Sequence, residues 1–195
     1  MIKKSVSISL VLILLIALGA MAEVGISKIK PEKYKVAEAA EGTKYYVDRE
    51  YNILKFPAGL KGAQLLMTGN DDKNSKGDGF ITFDVNQPAT VYIGHDSRGE
   101  KAKGGVPPEW LSKDFTFVEN MVIEVSDTNM GAFNLWKKAY KAGTVSLGGN
   151  ADPPAAGQGS MYIVLVIPSE LIITPSSVKP SEKLSITWAG VKNSN

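Results

Sequence analysis

Four stretches of this 195-residue chain carry side chains capable of chemistry. Asn70-Asp-Asp-Lys-Asn-Ser-Lys-Gly-Asp-Gly79 gathers three carboxylates and two amides. Calcium takes about six to eight oxygen ligands, and alternate side chains of a tight loop can supply them. Asp72, Asn74 and Asp78 are the residues that fit this role. Against it, Lys76 falls where such a loop needs an oxygen, and Lys73 adds a second repelling charge. The alternative is a polar hairpin loop whose Asn, Asp and Gly residues tolerate left-handed backbone angles.

His95-Asp96-Ser97-Arg98 is the second stretch. It is no catalytic triad, because neighbours in a strand point to opposite faces and cannot relay a proton. Asp96 and Arg98, two apart, share a face and can form an ion pair that stiffens the loop or grips sugar hydroxyls. His95 reads as a loop or packing residue. The third set is aromatic: Trp110 after two prolines, and Trp136 opposite Phe133 and Leu135 on its strand. Either indole can stack on the C–H face of a sugar, with Asp, Asn and Arg taking the hydroxyls. Either can equally fill a sandwich core. The fourth stretch, Gly148 to Gly159, is Gly- and Pro-rich but lacks the lysine and the following helix of a phosphate loop. It reads as the rim of a binding face or as a plain connection.

Composition narrows the chemistry further. There is no cysteine and one histidine, so thiol mechanisms, a disulfide framework and most zinc sites lack raw material. The chain has 22 basic and 20 acidic residues. Loss of Lys3 and Lys4 with a leader would leave 20 of each. A near-neutral surface with mixed signs argues against nucleic acid as a partner.

The elements that must hold these residues are strands. From Tyr45 onward, short apolar segments recur about every 8–14 residues between Gly, Asn, Asp and Pro, the spacing of an all-β sandwich. Strands are expected at Tyr51–Phe56, Ala63–Thr68, Phe80–Val85, Thr90–His95, Met121–Val125, Phe133–Lys137, Thr144–Leu147 and Met161–Ile167. The last is apolar on both faces and reads as a central strand. Pro107-Pro108-Glu109-Trp110-Leu111 suits one helical turn with proline at its start.

The flanks have a different texture. Residues 1–22 read as a secretory signal peptide: a cationic start, an apolar run from Leu10 to Leu18, and Ala20-Met21-Ala22 ahead of a cut before Glu23. The same run could instead be kept as an anchor. Residues 23–43 are rich in Lys, Glu and Ala and read as a linker, or as an extended arm in which Val24, Ile26 and Ile29 lie along a sheet edge. Residues 44–168 form the sandwich module. Residues 169–195 open like an immunoglobulin-like module carrying Trp188, or serve as strands that pair with another chain.

Residues 45–166 resemble a non-catalytic β-sandwich module of large secreted bacterial proteins, often placed beside polysaccharide-degrading domains. The resemblance is carried by Tyr46-Val-Asp-Arg49, Leu60-Lys-Gly-Ala63, Thr68-Gly-Asn-Asp-Asp-Lys73, Phe83-Asp-Val-Asn86, Val91-Tyr92, Asp96-Ser-Arg98 and Pro108-Glu-Trp-Leu111. Phe133-Asn-Leu-Trp-Lys137, Ala142 to Asn150 and Gly159-Ser-Met-Tyr162 complete it. His95 and the insertion Gly99–Gly105 depart from the pattern. The resemblance implies a jelly-roll-like antiparallel sandwich at the cell surface or outside the cell. It implies no catalysis, and polysaccharide or cell-surface glycan as the partner. On this reading Asp96, Arg98, Trp110 and Trp136 bind ligand, and calcium is the one candidate cofactor. The competing expectation is a structural subunit that assembles with copies of itself by strand donation. A third is a polysaccharide-active enzyme, for which two carboxylates ~5–9.5 Å apart would suffice.

Overall fold

The computed structural model describes residues 23–98, 107–155 and 159–169. The expected signal segment and nearly all of the C-terminal extension lie outside these residues. Ten strands are described: β1 (Ile26–Lys30), β2 (Lys35–Glu38), β3 (Ile53–Lys55), β4 (Gln64–Met67), β5 (Ile81–Val85), β6 (Ala89–Asp96), β7 (Thr116–Val125), β8 (Ala132–Tyr140), β9 (Gly143–Leu147) and β10 (Ile163–Pro168). One helix, α1 (Glu109–Asp114), follows Pro108. Proline fits that first turn because its missing N–H would have no helical partner there.

Alternation sorts the strands into two antiparallel sheets. In β5, Ile81, Phe83 and Val85 are buried while Thr82 and Asp84 are half-exposed. This strand is the middle of a three-stranded sheet ordered β1-β5-β9. The larger sheet runs β2-β4-β10-β6-β8-β7-β3. Strand β10 pairs with β4 on one side and β6 on the other, and Ile163 to Val166 are fully buried on both faces. Such a strand must be apolar throughout, as its sequence is. Gly94 faces Ile163 across β6 and β10, and a Cβ there would stand 2.7 Å from Ile163 Cγ1. The architecture is an all-β sandwich, as expected, with the apolar residues of both sheets in one core cluster.

Residues 23–43 are not a spacer. Strand β1 pairs with β5 (Ile26 with Val85), β2 pairs with β4 (Val36 with Leu66), and Val24 and Tyr34 are buried. Edge strands need apolar residues on one face only, and charged residues on the other discourage pairing with further chains. That is why the Lys-rich text hides them. Strand β7 also starts earlier than the apolar run at Met121 suggests. Its register with β8 shifts between Val118 and Val122, and Asn120 sits at φ 59°. A left-handed Asn at a bulge breaks the two-residue phase on which sequence reading depends.

Candidate functional site

Helix α1 and two loops meet at one end of the sandwich, and the sequence dictates how they are held. Leu111 is fully buried and anchors the helix. Trp110, one residue earlier, is half-buried, and its Nε1 donates to the Gly149 carbonyl at 3.0 Å. Its ring meets Phe115 and Tyr162 edge-on at 5.8 and 5.6 Å between centroids. The Tyr162 hydroxyl donates to the Gly148 carbonyl at 2.9 Å. Gly148 must be glycine here, because a Cβ would lie 2.4 Å from Trp110 Cδ1.

The same loop is laced to the stretch 70–79. Asp152 accepts from the Gly77 and Gly149 amides at 2.7 and 2.8 Å. Asn150, fully buried, donates to the Lys73 and Ser160 carbonyls at 2.8 and 3.1 Å, and its own amide donates to Ser75 Oγ. The Glu109 amide donates to the Pro153 carbonyl at 3.1 Å, tying α1 to the loop. The described part of the Gly/Pro stretch is thus a clasp rather than a plain connection.

Beside this clasp lies an open hollow of about 440 Å³ lined by Asp78, Glu109, Trp110, Lys113, Asp114, Asp152 and Pro153. Its size falls in the ~300–1,000 Å³ range of small-ligand sites. The Asp152 oxygens are engaged by backbone, and Asp114 is paired with Lys138 Nζ at 3.5 Å. The side chains of Asp78, Glu109 and Lys113 make no hydrogen bond or ion pair among the described residues. The arrangement offers one indole, two acceptors and one donor with unspent capacity, which suits hydroxyl groups.

The expected binding residues do not form one site. Asp96 pairs in register with Phe133, while Ile93 pairs with Val164, which shares its face with Tyr162. Asp96 therefore lies on the opposite face of the sheet from the ring that Trp110 touches. Asp96 and Arg98 do form the expected ion pair: Nη2 to Oδ2 is 2.7 Å and Nε to Oδ1 is 3.1 Å. The Arg98 amide also donates to Asp96 Oδ1. Arg98 donates further to the Asn129 carbonyl and Ser160 Oγ, and its guanidinium packs where a Cβ on Gly159 would stand. The Asp96 carboxylate is 1% exposed. Its hydrogen bond with Arg98 raises the guanidinium pKa still further. This is a brace with a buried carboxylate and every guanidinium nitrogen engaged, which leaves little for a sugar.

Trp136 opposes Phe133 and Leu135, as expected; it pairs with Ile93 and with Phe117, whose ring lies 5.2 Å away. Trp136 is half-buried, and Asn134 and Lys138 share its face of the strand. Trp110 and Trp136 belong to separate aromatic pairs.

The three oxygen donors expected to hold calcium have different surroundings. Asp72 accepts from the Tyr34 hydroxyl at 2.6 Å and pairs with Lys33 at 2.8 Å. Burial and that carboxylate push the Tyr34 phenol pKa up. Asn74 is exposed at the end of the 3-10 turn Asn70–Asn74, and Asp78 turns to the hollow. No cluster of three or more His, Cys, Asp or Glu side chains suited to a metal forms among the described residues. Hydrogen bonds hold the loop, including those from the Asn70 and Asp71 amides to Asp48.

His95 is a packing residue, as expected, but a costly one. It is fully buried with both ring nitrogens unpartnered among the described residues, and burial pushes its pKa down to about 4. Glu109, Lys113, Asp114 and Asp152 were not singled out by sequence reasoning. The first three flank Trp110 on one short helix, which was the available signal; Asp152 was visible only as part of a loop.

No family model matches the chain, and no curated protein matches it. Among solved structures it is similar to a β-glucuronidase from glycoside hydrolase family 2, at TM-score 0.62 and 23% identity over 74% of this chain. It also aligns with a GH138 enzyme targeting pectin rhamnogalacturonan II, at TM-score 0.43 and 12% identity over 73% of this chain. The chain spans 15% of the first protein's length and 16% of the second's. The first likeness establishes a shared sandwich fold.

Proposed function

We propose that this chain is a secreted, non-catalytic carbohydrate-binding module whose sugar site is the hollow beside Trp110. The observation that carries the reading is the convergence of the unspent Asp78, Glu109 and Lys113 side chains beside a half-buried indole in a hollow of ligand size. Hydroxyl-rich ligands need both acceptors and donors, and such groups are most useful when the fold does not consume them. The shared fold with part of a glycosidase supports a carbohydrate context. The signal-like leader, Met1 to Ala22, supports action outside the cell.

A glycan array probed with the purified protein tests this. Binding to a defined set of glycans is expected, weakened at least tenfold by the double change Asp78→Asn, Glu109→Gln. Absence of binding across the array would contradict it.

One observation favours the structural-subunit reading. Among the described residues, strand β3 pairs with β7 only near Val125 and Glu124, leaving the Thr116 end of β7 as an edge with Phe117 and Val122 exposed. An uncovered edge of this kind can take a strand from another copy. Sedimentation at increasing concentration separates the two: a persistent monomer supports the binding module, and concentration-dependent growth supports the subunit.

A further inference from the structure

The lining of the hollow sets the charge of what it can hold. Resting on the glycan reading above, we infer that the site selects basic amino-sugar glycans and discriminates against glycans bearing uronic acids. Among the described residues, four carboxylates, Asp78, Glu109, Asp114 and Asp152, line the hollow with one ammonium, Lys113. Lys138 offsets Asp114 from outside the lining, at 3.5 Å. Asp152 is held as an acceptor by two backbone amides and cannot swing away.

Two further features turn this charge into selectivity. Asp78 and Glu109 make no ion pair among the described residues, so a ligand ammonium would meet two carboxylates with no competing protein cation. A ligand carboxylate would find one lysine and be repelled by the remaining charges; charge-assisted hydrogen bonds strengthen the first case and are denied to the second. The indole adds the sugar requirement. Its Nε1 is occupied by the Gly149 carbonyl, so it offers the ligand carbon surface, which suits the C–H side of a pyranose and not a bare cation chain.

This separates the chain from its structural neighbour, which is named for acting on glucuronides. A shared sandwich does not carry ligand preference with it.

The test is calorimetric titration of the full chain with three trisaccharides matched in size: glucosamine, N-acetylglucosamine and galacturonate oligomers, at low and high salt. Affinity is expected to fall in that order, at least tenfold from first to last at low salt, with the gap narrowing at high salt as screening grows. Asp78→Asn with Glu109→Gln should narrow the gap to less than threefold while leaving the melting temperature unchanged. Equal or tighter binding of the galacturonate oligomer would overturn the inference but leave the glycan reading standing. So would a gap that the double variant leaves unaltered. A linear polyamine of equal charge that binds as tightly as the glucosamine oligomer would overturn the sugar requirement. Failure of all three sugars to bind would overturn the glycan reading and the inference with it.

Discussion

Two polar clusters in this protein are built from the same residue types and have opposite fates. At Asp96–Arg98 every charged atom is spent: the carboxylate takes three donations from Arg98, and the guanidinium reaches Asn129 and Ser160 as well. At the hollow, Asp78, Glu109 and Lys113 spend nothing on the described protein. The proposed site differs from the brace in hydrogen-bonding capacity left over after folding, not in residue type. A brace holds the fold, and a hollow with unspent groups is available to a ligand.

The largest effect that tests this contrast is expected at the brace. Arg98→Ala leaves a buried carboxylate without its partner, which costs about 3–5 kcal/mol of stability. Denaturant unfolding should show it as a large fall in midpoint, and a loss under 1 kcal/mol would place Arg98 among the unspent groups.

Acid should loosen the same sheet end by about 3 kcal/mol through His95, whose pKa lies at about 4 against an ordinary 6.5. The unfolded chain takes up this proton more readily, so the contribution is complete above pH 6.5 and is lost as pH falls toward 4. His95→Leu should flatten the stability profile in that window. A profile as steep as the parent's would assign the acid sensitivity to carboxylates. Asp71 and Asp84, lowered by hydrogen bonds from Arg49 and Lys28, add their own loss below their ordinary range.

The clasp comes next. Gly148→Ala drives a methyl into Trp110, and overpacking of this kind costs ~1–3 kcal/mol. Because it displaces the indole, it should weaken glycan binding as well, and a change in stability without a change in affinity would separate Trp110 from the site. The smallest effect on stability belongs to Glu109→Gln, within ~0.5 kcal/mol as for other surface changes, with affinity falling severalfold in titration.

Much of this fold was legible in the sequence for a physical reason. Ile81-Thr-Phe-Asp-Val85 alternates because one face is buried, and Met161 to Ile167 does not alternate because both are. Residues 23–43 read first as a spacer because a charged edge strand displays few apolar residues; the alternative of an extended arm along a sheet edge fits β1, where Ile26 pairs with Val85. The site was only half legible. Spacing placed Asp96 beside Arg98, but it could not say that Asn129 and Ser160 would occupy the rest of the guanidinium. Asp78 was singled out for calcium, yet its setting depends on Asp152, which lies 74 positions away and joins it only through the clasp. Long-range hydrogen bonds between loops leave no period in a sequence.

Amide chemical shifts, followed while a glucosamine oligomer is added, test the contrast most directly. The account predicts shifts concentrated at Gly77, Asp78, Glu109 to Asp114 and Asp152, with Ser97, Arg98 and Asn129 unmoved. Shifts centred on Arg98 and Asn129, or none at the hollow, would contradict it.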